Sequence, residues 1–197
     1  MTSLLRVAAM TALTLMLAAI VLLGWRILFP AQMADADHLQ RKQEYLTGIA
    51  GLADRPVDTP NLVLVLFDDL GYGDLGVYGS QAIRTPNLDR LAAEGLRFTH
   101  GYSPSPYCSA SRAGLLTGRH PIRMGFDHVL QPAWSWKDIL LRIGARNRRL
   151  PEEEIVLPEI LSAAGYSTQM IGKWHLGDTS PSLPNDRGFD GFFGLLY

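Results

Sequence analysis

Cys108 is the only cysteine in a chain of 197 residues, and it opens the stretch CSASRAGLLTGR, residues 108–119. A lone thiol is by default a small buried hydrophobe. Here its neighbours are Ser109, Ser111 and Arg112, poor company for a core residue. If residues 109–117 are helical, Cys108 sits at the N-terminal end and Arg112 lies one turn away on the same face. A helix start offers unpaired N–H groups and the positive end of a dipole to an anion. Arginine adds a planar fork suited to tetrahedral oxyanions. Two further groupings could do chemistry. Asp68 and Asp69 are hard oxygen donors for Ca²⁺ or Mg²⁺, although an Asp-Asp turn that caps local amides is at least as common. Lys173 and His175 pair a fixed cation with a ring that exchanges protons near neutrality. Lysine also ends many strands, and histidine fills many half-buried corners.

The elements that position these residues are legible around them. NLVLVLF (61–67) is a continuous apolar run, the pattern of a strand covered on both faces in a parallel sheet. It runs into DDLGYGD, a loop. TPNLDRLAAEG reads as a helix, with Thr85 as cap, Pro86 at the first position and Gly95 as stop. LRFTHGYS suggests a second short strand, and SASRAGLLTG a helix stopped at Gly118. WKDILLRIGARNRR (136–149) reads as a solvated amphipathic helix with Trp136, Ile139, Leu140 and Ile143 on one side. A helix then runs from Pro158 to Gly165, and STQMI is a strand leading into Lys173 and His175. Strand–helix–strand alternation predicts an α/β fold, a mainly parallel sheet flanked by helices. Both acidic and basic pairs then lie past strand C-termini, where open α/β sheets bind ligands.

The N-terminal segment is of another kind. VAAMTALTLMLAAIVLLGW, between Arg6 and Arg26, is nineteen residues without a charge. About 20 apolar residues cross a bilayer, whereas a signal-peptide core is usually about 7–15. An uncleaved membrane anchor is therefore favoured over a cleaved signal, and either one exports the remainder from the cytoplasm. The reading divides the chain into an anchor or signal segment (1–30), a polar linker with one surface helix (31–60) and a globular part (61–197). A formal net charge of −1 gives no electrostatic reason to expect nucleic acid. One cysteine excludes an internal disulfide and a CxxC metal knuckle.

CSASRAGLLTGR resembles the first signature of the sulfatases of the alkaline phosphatase superfamily, and GYSTQMIGKWH (165–175) resembles the second. NLVLVLFDDLGYGDLGVYG and TPNLDRLAAEG are similar to that family's opening strand, metal loop and first helix. The resemblance covers residues 60–197 and implies the alkaline phosphatase-like sulfatase N-terminal domain. It implies that a maturase oxidises Cys108 to formylglycine, an aldehyde hydrated to a geminal diol. One diol oxygen attacks sulfur and expels the alcohol; collapse of the second hydroxyl to the aldehyde then ejects sulfate. It implies that Asp68 and Asp69, with the group made from Cys108, hold a divalent ion, Ca²⁺ or else Mg²⁺. Arg112 would hold the nucleophile, Lys173 would contact a sulfate oxygen, and His175 would assist the collapse. Ser111 and Arg119 match the signature as recognition and scaffold residues; His100, His120, His128, Tyr72, Tyr78 and Trp174 are expected to serve structure. Ala110 stands where many members carry proline, a choice that suits oxygen-independent radical maturases. The family's second histidine, second lysine and later metal pair are missing from the chain, so it is expected not to turn over substrate alone. The partners implied are a sulfate ester, a maturase and, through the N-terminal segment, a membrane. The alternatives are a phosphonate monoester or phosphodiester hydrolase of the same superfamily, and a non-catalytic sulfatase-like module.

Overall fold

The structure, a computed structural model, describes residues 2–28, 35–52, 59–133, 135–143 and 147–197. Six helices occur among them: α1 (Thr2–Leu28), α2 (Ala36–Gly51), α3 (Pro86–Glu94), α4 (Cys108–Thr117), α5 (Trp136–Ile143) and α6 (Leu157–Ala163). Two strands, β1 (Gln169–Lys173) and β2 (Gly191–Leu195), pair in parallel, with Gln169 opposite Gly191 and Lys173 opposite Leu195. Gly194 is required by that pairing, because a Cβ there would lie 1.9 Å from the Gly172 carbonyl oxygen.

The core explains where the site is held. Ala110 and Ala113 of α4 pack with Met124, Phe126, Leu130, Leu150, Val156, Trp174 and Leu176. Their burial fixes one face of α4 against the loop 125–131 and against the chain leaving β1. Trp174 is 1% exposed, donates Nε1–H to the Ser182 carbonyl (2.8 Å) and meets the Phe189 ring edge-on. It serves packing, as its sequence context suggests.

The helices at 86–94, 108–117 and 157–163, and the strand at 169–173, form near where the sequence patterns place them, although Thr85 makes no side-chain cap bond to the helix it precedes and its hydroxyl bonds the Gly76 amide and Asp89 instead. Two expectations differ. Residues 61–67 join no sheet, and Val63 is 86% exposed. A strand apolar on both faces needs paired neighbours, and among the described residues β1 and β2 pair only with each other. The stretch 96–103 likewise forms no strand, leaving Leu96 and Phe98 exposed. In α5 the exposed residues include Trp136 and Leu140, while Asp138 is buried and receives the Arg148 Nε–H at 2.7 Å. The middle of the expected 136–149 helix, residues 144–146, lies outside the described residues, as do parts of the 31–60 linker. Within that linker the expected surface helix is α2, started by the Asp35 carboxylate, which accepts the Asp37 and His38 amides.

Candidate active site

Three of the residues singled out by sequence converge in space. Arg112 stands one turn into α4, is 8% exposed, and donates NH2 to Asp68 Oδ1 at 3.1 Å. Its NH1 donates to the Lys173 carbonyl oxygen at 2.5 Å. Lys173, the last residue of β1, donates Nζ to the other oxygen of Asp68 at 3.0 Å. Asp68 is thus clasped by two cations from two elements. The Lys173 and Arg112 donors hold its carboxyl below the ordinary carboxylate range, against a smaller opposing effect of burial. Asp68 keeps this place although the run before it forms no strand. The position depends on the two cations, not on the ladder.

His175 follows Lys173 by two residues and is 5% exposed. Its ring Nε2 lies 3.2 Å from the Leu130 carbonyl oxygen, and its buried Nδ1 has no hydrogen-bond partner. Burial lowers its pKa from the ordinary 6.5; the Leu130 carbonyl opposes, and Lys173 and Arg112 add to the lowering. Arg112 Nε is likewise buried without a partner. Among the described residues, Asp69 and His175 are the two non-glycine residues with positive φ, at 58° and 60°. Asp and His are among the side chains that tolerate this left-handed backbone best, and such conformations gather at functional sites.

Cys108 is the first residue of α4 and half-buried, with its side chain at the helix N-terminus. The Asp69 carboxylate is exposed and is not joined to Arg112 or Lys173. Ser111 exchanges a hydrogen bond with Ser103. Arg119 leaves the site to pair with Glu154, a scaffold role. His100 bonds Thr99, and His128 lies against Asp127 and the Asn147 carbonyl, both structural settings. Tyr78 donates to the Phe98 carbonyl and stacks on Tyr72.

Asp68 and Asp69 have the donor chemistry of a hard divalent cation, but Ca²⁺ takes six to eight oxygens. Among the described residues no group of three or more His, Cys, Asp or Glu could hold an ion. The carboxylates fit in type and supply part of a shell.

Sequence reasoning missed two features. Ser109, fully buried, accepts the Leu130 amide N–H on its Oγ at 3.0 Å. A second charged cluster lies behind the site, where Glu159 receives both Lys42 Nζ (2.7 Å) and Arg187 Nε (3.0 Å). The available signal was Glu159 itself, two residues after the Leu157 helix start, where a carboxylate bonds the amide of Val156.

A basic rim at the end of a parallel strand, facing a carboxylate and a helix N-terminus, defines an α/β protein with its ligand crevice at the strand ends. Comparison with known proteins narrows the class. The sequence profile of the family described as Sulfatase matches residues 60–197. The chain belongs to the sulfatase family. It is 44% identical over 174 residues to N-acetylgalactosamine-6-sulfatase of Canis lupus familiaris, covering 87% of this chain and 29% of that protein. It is 50% identical over 152 residues to human arylsulfatase A, covering 75% of this chain and 27% of that one. The crystal structure of PsFucS1 sulfatase from Pseudoalteromonas sp. superposes with a TM-score of 0.54 at 37% identity, over 83% of this chain and 30% of that one. The chain therefore spans between a quarter and a third of these relatives.

Proposed function

We propose that this chain is the nucleophile-bearing portion of a sulfate-ester hydrolase, with Cys108 as precursor of a formylglycine. The observation that carries this reading is the clasp of Arg112 and Lys173 around Asp68, with Arg112 one turn from Cys108 on α4. A hydrated formylglycine would supply a hydroxyl nucleophile and, through its second hydroxyl, a way to release sulfate. Asp68 and Asp69 would help hold a divalent ion, whose charge would polarise the sulfate ester.

The chain's own residues then have separable tasks. Arg112 keeps α4 and the end of β1 in register, because one guanidinium bonds Asp68 and the Lys173 carbonyl together. Lys173 carries the positive charge that meets a sulfate oxygen. His175 is held neutral by burial, so its ring can accept a proton from the nucleophilic group. The 21-residue apolar span Leu5–Trp25 would hold this portion at a membrane, on the non-cytoplasmic side, unless a peptidase removes it. The division at about residues 30 and 60 belongs to the same reading, as does action of a maturase on the Cys108 motif.

The test is the mass of the tryptic peptide FTHGYSPSPYCSASR, residues 98–112, from the native host. Conversion of the thiol to the aldehyde lowers it by about 18 Da. An unmodified thiol, where the host's other sulfatases mature, would overturn the reading in favour of a non-catalytic module. Rates of the protein at its full natural length on aryl sulfate and aryl phosphonate esters choose the substrate class; preference for the phosphonate would refute sulfate-ester hydrolysis.

A further inference from the structure

His175 is a proton acceptor whose tautomer is set from outside the ring. A carbonyl oxygen can only accept, so the nitrogen facing it must carry the proton. With Leu130 O at 3.2 Å from Nε2, the neutral ring is the Nε2–H tautomer and Nδ1 is a bare lone pair. That lone pair is buried and unpartnered. The Leu130 peptide is itself held: its N–H donates to Ser109 Oγ at 3.0 Å, and both residues are at most 1% exposed. Ser109 adjoins Cys108. One buried hydroxyl thus links the helix that carries the nucleophile to the peptide that orients the histidine.

We propose that Ser109 is a positioning residue that fixes His175 as the Nε2–H tautomer through the Leu130 peptide, aiming Nδ1 as the proton-accepting atom. This rests on the reading of Cys108 and His175 as parts of one reactive centre. When Nδ1 takes a proton from a hydroxyl, the oxygen keeps the bonding pair and the ring becomes an imidazolium with two N–H groups. Its Nε2–H still donates to Leu130, now as a charge-assisted bond. The groups facing the ring are Lys173 and Arg112, which oppose its protonation, Asp68, which favours it, and the Tyr197 ring, edge-on at 5.4 Å. Without Ser109 the Leu130 N–H loses its acceptor and the peptide is held by packing alone; a shift of its carbonyl would admit an Nδ1–H ring that presents the wrong nitrogen.

The test is the imidazole ¹⁵N spectrum of the full chain, assigned by the loss of one ring's signals in His175→Gln. In the native chain His175 should show the Nε2–H pattern alone; an Nδ1–H pattern or a mixture overturns the proposal. In Ser109→Ala the pure pattern should give way to a mixture of tautomers, and Ser109→Thr should restore it. If Ser109→Ala does not fold, Ser109→Cys, close in shape and a weaker acceptor, replaces it with the same expectation. Retention of the pure Nε2–H pattern in a folded Ala or Cys variant refutes the role of Ser109. None of these spectra depends on turnover or on maturation of Cys108. A wrong reading of the reaction would therefore appear in the peptide mass and ester rates, and a wrong tautomer only here.

Discussion

At the scale of single residues, the site is built from charges that need each other. His175 is the informative one, because its folded pKa lies below the ordinary 6.5 through burial, aided by Lys173 and Arg112. Between the depressed value and 6.5 the unfolded chain binds a proton that the folded chain does not. Stability therefore rises with pH across that window and falls as the medium is acidified below about pH 6.5. Asp68, whose pKa is also depressed, acts in a lower window: its contribution is present above its ordinary 3.8 and is lost in stronger acid. Urea midpoints at about pH 7.5 and about pH 5.5 separate the two. The native chain should lose stability over this interval, and His175→Gln should lose less. Equal losses would mean that another group carries the pH dependence. Arg112→Gln should cost about 1–3 kcal/mol at neutral pH, the usual range for losing hydrogen bonds made by a charged group, here those of the buried guanidinium to the Lys173 carbonyl and to one oxygen of the exposed Asp68. A midpoint unchanged by that substitution would show that the clasp does not hold the site together.

At the scale of elements, α2 of the linker is bonded to the globular part despite its polar sequence. Lys42 Nζ reaches the Glu152 and Glu154 carbonyls and Glu159, and Arg187 reaches Glu159 and the Pro151 and Glu154 carbonyls. Glu159 is 9% exposed and Arg187 is 1% exposed. Removing one member of such a buried set leaves an uncompensated charge, at a cost of about 3–5 kcal/mol. Glu159→Gln should lower the denaturant midpoint accordingly and speed proteolysis within 36–51; a shift below about 1 kcal/mol would place the network among ordinary surface pairs. This docking could not be read from the sequence, since Lys42 and Glu159 are 117 residues apart and neither stands in a motif. The local elements could: Pro86, Gly95, Pro158 and Gly118 mark helix ends by chemistry confined to one turn. The Asp68–Arg112–Lys173 grouping was legible because the chemistry of the residue types implied it before geometry did. The His175 tautomer was not, because the atom that sets it is a backbone carbonyl and side-chain identity says nothing of where that points. The two missing strands were misread for a related reason, since an apolar run states what it can bury and not whether a neighbour is there to bury it.

At the scale of the whole molecule, two apolar surfaces compete to explain how the chain would attach to a membrane. One is the span Leu5–Trp25, with mean hydropathy 2.4 and none of it buried; as a helix it is about 30 Å long, the thickness of a hydrocarbon core. The other is the exposed stretch from Leu62 to Phe67, together with Ile171 and Phe193 on the two strands. An unpaired apolar run beside open strand edges invites adhesion to other chains and to surfaces. The two modes differ in strength. A spanning helix has its backbone satisfied within lipid and resists alkaline carbonate, whereas surface adhesion is washed away. The full chain in host membranes should remain in the pellet after a carbonate wash. Leu13→Arg combined with Leu17→Arg costs about 2.5–3.5 kcal/mol per charge at the helix centre and should release the chain to the supernatant. If the doubly substituted chain stays in the pellet, the apolar face of the globular part is the true attachment. If the native chain is released and begins beyond Trp25 by N-terminal sequencing, the segment is a signal that a peptidase removes.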